Sequence, residues 1–376
     1  MKIIHIITGL GDGGAEHTLY KICKYDHNNI HIVISLTGIG KYYSLLSNLG
    51  IKVYCFKINF FSLFEFFSLI KLLNSLKPNI VQTWLVHADF IGGITSRLVG
   101  IKKIIWNIRY SNLEIGKTKL TTLLIIKLLS KLSYIIPKAI VVVSKKSKLI
   151  YQILGYDKKK LIFIPNGYDL SILNNDLTRR QNFRKKIKFT KTIPVIGNVS
   201  RYDPKKDHKN LLKALSIIRS KNIEFLCILV GTNINKKNLK LMNEIKKLNL
   251  SSYVKLLDQN NDITSVMNGL DIFVQSSSYG EGFPNVVAEA MACGTPCVVT
   301  NVGDAAFIVG KTGWTVPPNN SLKLAKAIEQ SLSEFRTKNW NKRRHKARLN
   351  IKEKFEISKM ISSYNKVWRG VNKRYG

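Results

Sequence analysis

The chain has 376 residues, 45% of them hydrophobic, and a formal net charge of +37 from 60 Lys and Arg against 23 Asp and Glu. That length exceeds what one core usually holds and suits two domains, and the apolar share excludes a disordered chain. The charge points to anionic partners, nucleic acid first, but Lys, Asn and Ile crowd the sequence as they do in AT-rich coding, which favours compositional drift plus an anionic membrane face over nucleic acid. The five Cys are scattered, and the only close pair, Cys293 and Cys297, has no His or further Cys beside it. Buried free thiols in a reducing compartment are expected, and no metal cluster. The apolar start after Met1-Lys2 is too short for a secretory signal, and Lys interrupts every apolar run before membrane-spanning length. A cytoplasmic protein is expected, with access to the inner face of the membrane.

In chain order, short β-branched runs alternate with helical patterns: KIIHIIT, HIVISL, IKVYCF, NIVQTW, KIIWNI, AIVVVS and LIFIPN. This alternation predicts βαβ units and a parallel sheet covered on both faces. A basic, polar stretch at 177–191 reads as a connector, after which IPVIGNVS, EFLCILVG, YVKLL, DIFVQ and PCVVTN restart the pattern. Two Rossmann-like doubly wound domains facing a central cleft are expected, at 1–185 and 190–356, with a last helix at about 357–376 crossing back onto the first.

The loop after the first strand, TGLGDGGAE, carries Gly13, Gly14, Ala15 and Glu16 at a helix start. Glycines admit close backbone approach and the helix dipole favours an anion there. The spacing departs from the dinucleotide fingerprint and no acid closes the second strand, so a nicotinamide cofactor is not expected. His87 follows the strand NIVQTW as a candidate polar group at its end, with Asp89 and Arg109 as secondary candidates. In the segment 117–138, Leu120, Leu124, Leu128 and Leu132 share one helical face and Lys127 and Lys131 another. It either packs on the core or lies at an anionic bilayer, with the aromatic run FKINFFSLFEFFSLIKLL beside it. Arg201 and Lys206, with Lys205 adjacent, follow the strand IPVIGNVS and would sit at the carboxyl edge of the second sheet.

The most specific segment is SSSYGEGFPNVVAEAMACGTPCVVTN, at 276–301. Pro284 suits a first helical turn, and the amides of Asn285, Val286 and Val287 would then face an anion such as a diphosphate. Glu281 precedes that helix start and Glu289 lies about one turn inside it, so two carboxylates flank a phosphate site.

The ordered run EGFPN-x-x-x-E followed by ACGTP and a buried strand closely resembles the nucleotide-sugar site of glycosyltransferase family 4, and GGAE near the start and R-x-x-x-x-K at 201–206 extend the resemblance. The resemblance implies the GT-B fold and retaining transfer of a sugar from a UDP- or GDP-sugar to an acceptor hydroxyl. It implies that Glu281 meets hydroxyls of the transferred sugar and Glu289 the ribose, that Gly282, Phe283, Pro284, Asn285, Val286 and Val287 hold the donor, that Arg201 and Lys206 take the leaving charge, and that His87 lies near the reacting carbon. Gly13, Gly14, Ala15 and Glu16 would form the acceptor-side loop, and Asn166-Gly167 the loop between the domains. No metal or other cofactor is implied. The implied acceptor is a lipid-linked glycan of bacterial surface polysaccharide biosynthesis, lipopolysaccharide or capsule, reached by a peripheral protein on the inner face of the cytoplasmic membrane. A GT-B sugar-nucleotide epimerase is the alternative, and a basic nucleic-acid-binding protein the more distant one.

Overall fold

The computed structural model describes residues 1–58, 63–109, 120–189 and 192–374. The chain divides into two compact units, Met1–Gly167 with Ile357–Gly376, and Tyr168–Glu356. The first runs β1 (Lys2–Ile7), α1 (Gly14–Tyr25), β2 (Ile30–Ser35), α2 (Lys41–Ser47), β3 (Lys52–Cys55), α3 (Leu63–Leu76), β4 (Ile80–Trp84), α4 (Val86–Leu98), β5 (Ile104–Ile108), α5 (Leu120–Leu132), β6 (Ala139–Val142), α6 (Lys145–Ile153) and β7 (Leu161–Phe163). Its seven strands are all parallel, in the order β3-β2-β1-β4-β5-β6-β7. The second runs α7 (Leu177–Lys186), β8 (Val195–Val199), α8 (His208–Ser220), β9 (Leu226–Val230), α9 (Leu239–Lys247), β10 (Val254–Leu257), α10 (Ile263–Gly269), β11 (Ile272–Gln275), α11 (Asn285–Ala292), β12 (Cys297–Thr300), α12 (Ala305–Val309), β13 (Trp314–Val316), α13 (Ser321–Phe335) and α14 (Asn339–Phe355). Six parallel strands form its sheet, in the order β10-β9-β8-β11-β12-β13.

The strands are near-continuous apolar runs because helices cover both faces of each sheet, so neither side of a strand meets water. Ile3, Ile4, Ile6 and Ile7 of β1 are fully buried, as are Val298 and Val299 of β12. Every strand expected from the sequence is present. Strand β13 was not expected: three residues between a glycine and a proline carry no readable period. In each sheet the strand order reverses once, between β1 and β4 and between β8 and β11. The loops after those four strands diverge there, which opens a crevice at the carboxyl edge.

The expected connector at 177–191 is corrected. Most of it is α7, capped by Asp176, whose side chain accepts from the Arg179 amide at 2.9 Å. Phe183 is buried against Gly269. Arg180 and Arg184 pair with Asp271 at 2.5 and 2.7 Å, and Asp271 also accepts from the Val195 amide at 2.8 Å. Residues 168–185, expected in the first domain, therefore belong to the second. Polarity that reads as solvated linker is here matched to a buried carboxylate some ninety positions later.

The last helix, α15 (Ile357–Arg374), packs within the first unit. Met360, Tyr364, Trp368 and Val371 join a core with Ile3, Ile7 and Trp84, and the Trp368 indole donates to Gln82 at 2.6 Å. Beneath it runs a buried hydrogen-bonded chain. Trp84 Nε1 donates to His5 Nδ1 at 3.2 Å, His5 Nε2 lies 3.0 Å from His31 Nδ1, and His31 Nε2 lies 3.2 Å from Asp26 Oδ2. An indole only donates, so one tautomer set satisfies the chain: each imidazole accepts at Nδ1 and donates at Nε2. Asp26 also accepts from Asn365 of α15 at 3.2 Å. The Cys23 sulfur lies within 4.8 Å of ligand atoms of both imidazoles, but every ring nitrogen is engaged, so this cluster is framework and not a metal cage.

Burial pushes His5 well below the usual imidazole range, and pushes His17 and His208 down to about 4. Below the ordinary imidazole value the unfolded chain binds protons that these folded rings refuse. Stability should therefore fall as pH drops from about 6.5 toward 4, by up to about 1.4 kcal/mol per pH unit for each ring. Urea midpoints by tryptophan fluorescence measure this, and a level midpoint from pH 7 to pH 5 contradicts the neutral assignment.

Candidate functional site

The loops after β8 and β11 flank the reversal point of the second sheet. After β8 the chain makes a short turn at Pro204–Lys206 and enters α8. Asp203 shapes the turn by accepting from the Lys205 amide at 3.1 Å, and Asp207, at φ 49°, caps α8 by accepting from Asn210. The loop after β11 is tied to that turn: Ser276 Oγ donates to the Lys206 carbonyl at 2.8 Å and the Ser278 amide to the Lys205 carbonyl at 2.8 Å.

This brings Lys206 Nζ to 2.5 Å from Glu281 Oε1, with Ser277 Oγ donating to the same oxygen at 2.8 Å. Both side chains are largely buried, 18% and 11% exposed. Burial pushes the Glu281 carboxyl up, but the ammonium of Lys206 and the Ser277 hydroxyl outweigh it and hold the group below its usual range. Glu281 is therefore a fixed carboxylate. Both of these bonds fall on Oε1, which leaves Oε2 to accept from a ligand hydroxyl. Burial, then the neighbouring Arg201, pushes Lys205 down. Arg201 is 58% exposed and pairs with Asp203 at 3.1 Å, so its guanidinium keeps donors for an incoming anion.

Glu281 leads through Gly282 and Phe283 into α11, whose cap is Pro284. Phe283 is buried, with its ring 5.4 Å from that of Phe355. Asn285 Oδ1 accepts from the Tyr168 hydroxyl at 2.7 Å. The Val287 amide bonds the Pro284 carbonyl at 3.2 Å, which takes one of the three expected amide donors out of use and corrects that expectation. Glu289, one turn into the helix, is half-buried. Gly303, at φ +61°, closes over the turn; a Cβ there would meet the Glu281 and Gly282 carbonyl oxygens at 2.6 and 2.5 Å. The sequence offers no functional context for His208, yet this first residue of α8 is buried with Nε2 3.2 Å from Ser200 Oγ and, among the described residues, no partner on Nδ1. Its place just after the Lys206 turn is the signal that marks it.

In the first unit the reversal point is flanked by the glycine-rich loop after β1 and the start of α4. Gly13 caps α1, and Gly14, Ala15 and Glu16 form its first turn. Glu16 folds back on this start: it bonds its own amide, and a Cβ at Gly13 would meet its Oε2 at 2.5 Å. The helix start expected to receive a phosphate is thus partly served by the chain's own carboxyl, which burial pushes up. His87 is exposed in the first turn of α4. The residue before that turn's start, Leu85, has φ 73° and ψ 157°, a region nearly reserved for glycine that costs about 1–3 kcal/mol. That strain is held by β4 and α4 around it, and it aims the His87 end of the helix.

Asp89 and Arg109 are corrected from site residues to framework. Asp89 is buried, accepts from Thr83 Oγ1 at 2.5 Å, and is pushed up to about 7 by burial. Arg109 is spent on Asn107, Asn166 and Tyr364 and lies 5.3 Å over the Trp84 ring. Of the 117–138 segment, 117–119 lie outside the described residues, as do 59–62 of the aromatic run. In α5, Leu120, Leu124 and Leu128 are 78%, 67% and 44% exposed, and Lys127 and Lys131 are exposed with them; Ile126 and Leu129 make the core contact instead. Leu120, Leu124 and Leu128 share the outward side with the lysines, against the expectation of separate faces, while Leu132 is partly buried and packs on the core.

Residues 179–354 match the family model described as Glycosyl transferases group 1. Over 242 residues the chain is 27% identical to the UDP-Gal:alpha-D-GlcNAc-diphosphoundecaprenol alpha-1,3-galactosyltransferase of Escherichia coli, covering 62% of this chain and 61% of that protein. It is 26% identical over 239 residues, 62% of each, to the N-acetylgalactosamine-N,N'-diacetylbacillosaminyl-diphospho-undecaprenol 4-alpha-N-acetylgalactosaminyltransferase of Campylobacter jejuni. The chain thus spans about three fifths of the length of these relatives. Anabaena HepE in complex with UDP superposes with a TM-score of 0.87 at 21% identity, over 98% of this chain and 100% of that one. The fold is GT-B: two α/β domains of Rossmann type, each on a parallel sheet.

Gly303→Ala should destabilise the second unit by at least about 2 kcal/mol, since the side chain meets two carbonyls in a strained backbone region. A urea midpoint equal to that of the natural protein would mean that the Glu281 turn is not clamped from this side.

Proposed function

We propose that the chain is a metal-independent, retaining glycosyltransferase of family 4, moving a sugar from a UDP- or GDP-sugar to a hydroxyl of a lipid-linked glycan in bacterial surface polysaccharide biosynthesis. The observation that carries this reading is the Lys206–Glu281 pair at the carboxyl edge of the second sheet, beside the start of α11. Glu281 offers a fixed carboxylate to hydroxyls of the transferred sugar. Glu289 takes the ribose, and the α11 start with Arg201 and Lys206 takes the diphosphate. A cation within contact distance of a phosphate contributes several kcal/mol, about 4 at an effective dielectric near 20. In the step, the bond between the anomeric carbon and the diphosphate oxygen breaks and its electrons leave with the diphosphate. The acceptor oxygen bonds the same face of that carbon, and its proton passes to the departing phosphate. His87 and the Gly13–Glu16 loop of the first unit are assigned to the acceptor.

The match of residues 179–354 to the group 1 glycosyltransferases and the transferase names of the relatives support this reading. The epimerase alternative finds no support among them. Glu281→Gln and Lys206→Ala should each lower kcat about 10²-fold or more without unfolding the protein, as expected for groups that act on transition-state charge. Turnover of a nucleotide-sugar into lipid-linked product should continue in EDTA. Near-normal kcat in both variants overturns the site, and activity lost to EDTA and restored by Mg²⁺ or Mn²⁺ overturns metal independence.

We also propose a peripheral position on the inner face of the cytoplasmic membrane. Among the described residues no helix is long and apolar enough to cross a membrane. The exposed Leu120, Leu124 and Leu128 beside Lys127 and Lys131 suit a helix lying in an anionic headgroup layer, where each cation adds about 1 kcal/mol. Co-sedimentation with vesicles should require anionic lipid, weaken with salt, and fall when Lys127 and Lys131 become Glu. Equal binding to neutral vesicles, or none to anionic ones at low salt, defeats the proposal.

A further inference from the structure

Within the first unit lies a cavity of about 670 Å³, and seven of its ten lining residues are apolar. Its three polar residues, Thr8, Thr37 and His87, come from the ends of β1 and β2 and the start of α4, at the reversal point of the sheet. Thr8 Oγ1 is buried there and, among the described residues, has no partner. The apolar wall comes from helices: Phe66 of α3, Phe90 of α4 and Ile125 of α5. A sugar needs donors and acceptors along its length, and this wall offers none. The two outer helices also carry apolar side chains on their solvent side, Phe64 and Phe67 on α3 and Leu124 on α5.

We infer that this cavity binds the hydrocarbon chain of the acceptor, next to the phosphate that links chain and sugar. The inference rests on the reading of the acceptor as a lipid-linked glycan. It adds that the enzyme recognises the lipid itself, in a pocket distinct from the outward face of α5. The phosphate meets Thr8 and His87, and the chain lies along Phe66, Phe90 and Ile125. Apolar burial is additive along a chain, so each methylene that enters tightens binding about fourfold.

The test is calorimetric titration of the natural protein with dimethylallyl, geranyl and farnesyl phosphate, which carry one, two and three isoprene units on the same head group and stay dissolved without a bilayer. Affinity should rise by well over tenfold from one to three units. Thr37→Trp, which narrows the exposed rim, and Phe66→Ala, which removes wall contact, should each cost most of that gain. Leu124→Ser with Leu128→Ser, on the outward face of α5, should leave it unchanged. Affinity independent of chain length, or a gain that survives both pocket variants, overturns the inference. So does a gain lost only in the outward pair, which would place the chain on the surface. Thermal stabilisation by UDP and by GDP, measured on the same samples, keeps the two readings apart: if either nucleotide stabilises while chain length has no effect, the lipid pocket fails alone; if chain length matters and neither nucleotide stabilises, the nucleotide-sugar reading fails alone.

Discussion

A single ion pair organises the second domain's candidate site. Lys206 and Glu281 lie 75 positions apart, yet their heads are 2.5 Å apart and mostly shielded from water. Neither charge is tolerable there alone, because a partly buried, unpaired ion costs several kcal/mol. The pair therefore requires both loops to hold their shapes, and the bonds from Ser276 and Ser278 to the Lys206 turn and the closure of Gly303 over the Glu281 turn meet that requirement. The result is a carboxylate whose charge and position are set before any ligand arrives. Preorganisation of this kind is where electrostatic stabilisation is largest, since nothing has to reorient as charge moves.

The same topological device serves the first domain with different chemistry. Its reversal point carries a glycine-rich loop, an exposed His87 on a strained turn, and an apolar cavity, with no ion pair comparable to Lys206–Glu281 described there. A polar rim of strand ends above a wall of helix side chains suits an amphiphile better than a nucleotide. The division follows from which side chains the helices present: α11 starts at a loop bearing a carboxylate, whereas α3, α4 and α5 present aromatic and aliphatic groups.

Long-range polar matching holds each framework. Asp271 draws Arg180 and Arg184 of α7 onto the second sheet, and Asp26, His31, His5 and Trp84 run in register beneath α15 in the first. Arg109 and Asp89 belong to this framework, although their place near a strand end resembles that of site residues. Their hydrogen bonds to Asn107, Asn166, Tyr364 and Thr83 tie them into the protein at the reversal point.

The fold class and the twelve strands with β-branched runs were legible in the sequence, and so was the ordered segment that carries Glu281 and Glu289. Those features are local: apolar runs of four to eight residues, glycine and proline punctuation, and one ordered segment at 276–301 hold their meaning without knowledge of partners. The remaining features took shape through contacts between distant residues. That 177–186 is a docked helix depends on a carboxylate at 271; that Asp89 and Arg109 are framework depends on Thr83, Asn166 and Tyr364; that Leu120, Leu124 and Leu128 of α5 face outward depends on which turn of the helix meets α4. Each is a choice between burial and solvent for the same side chain, and the energy of that choice lies in a contact with a distant residue, which no local pattern records.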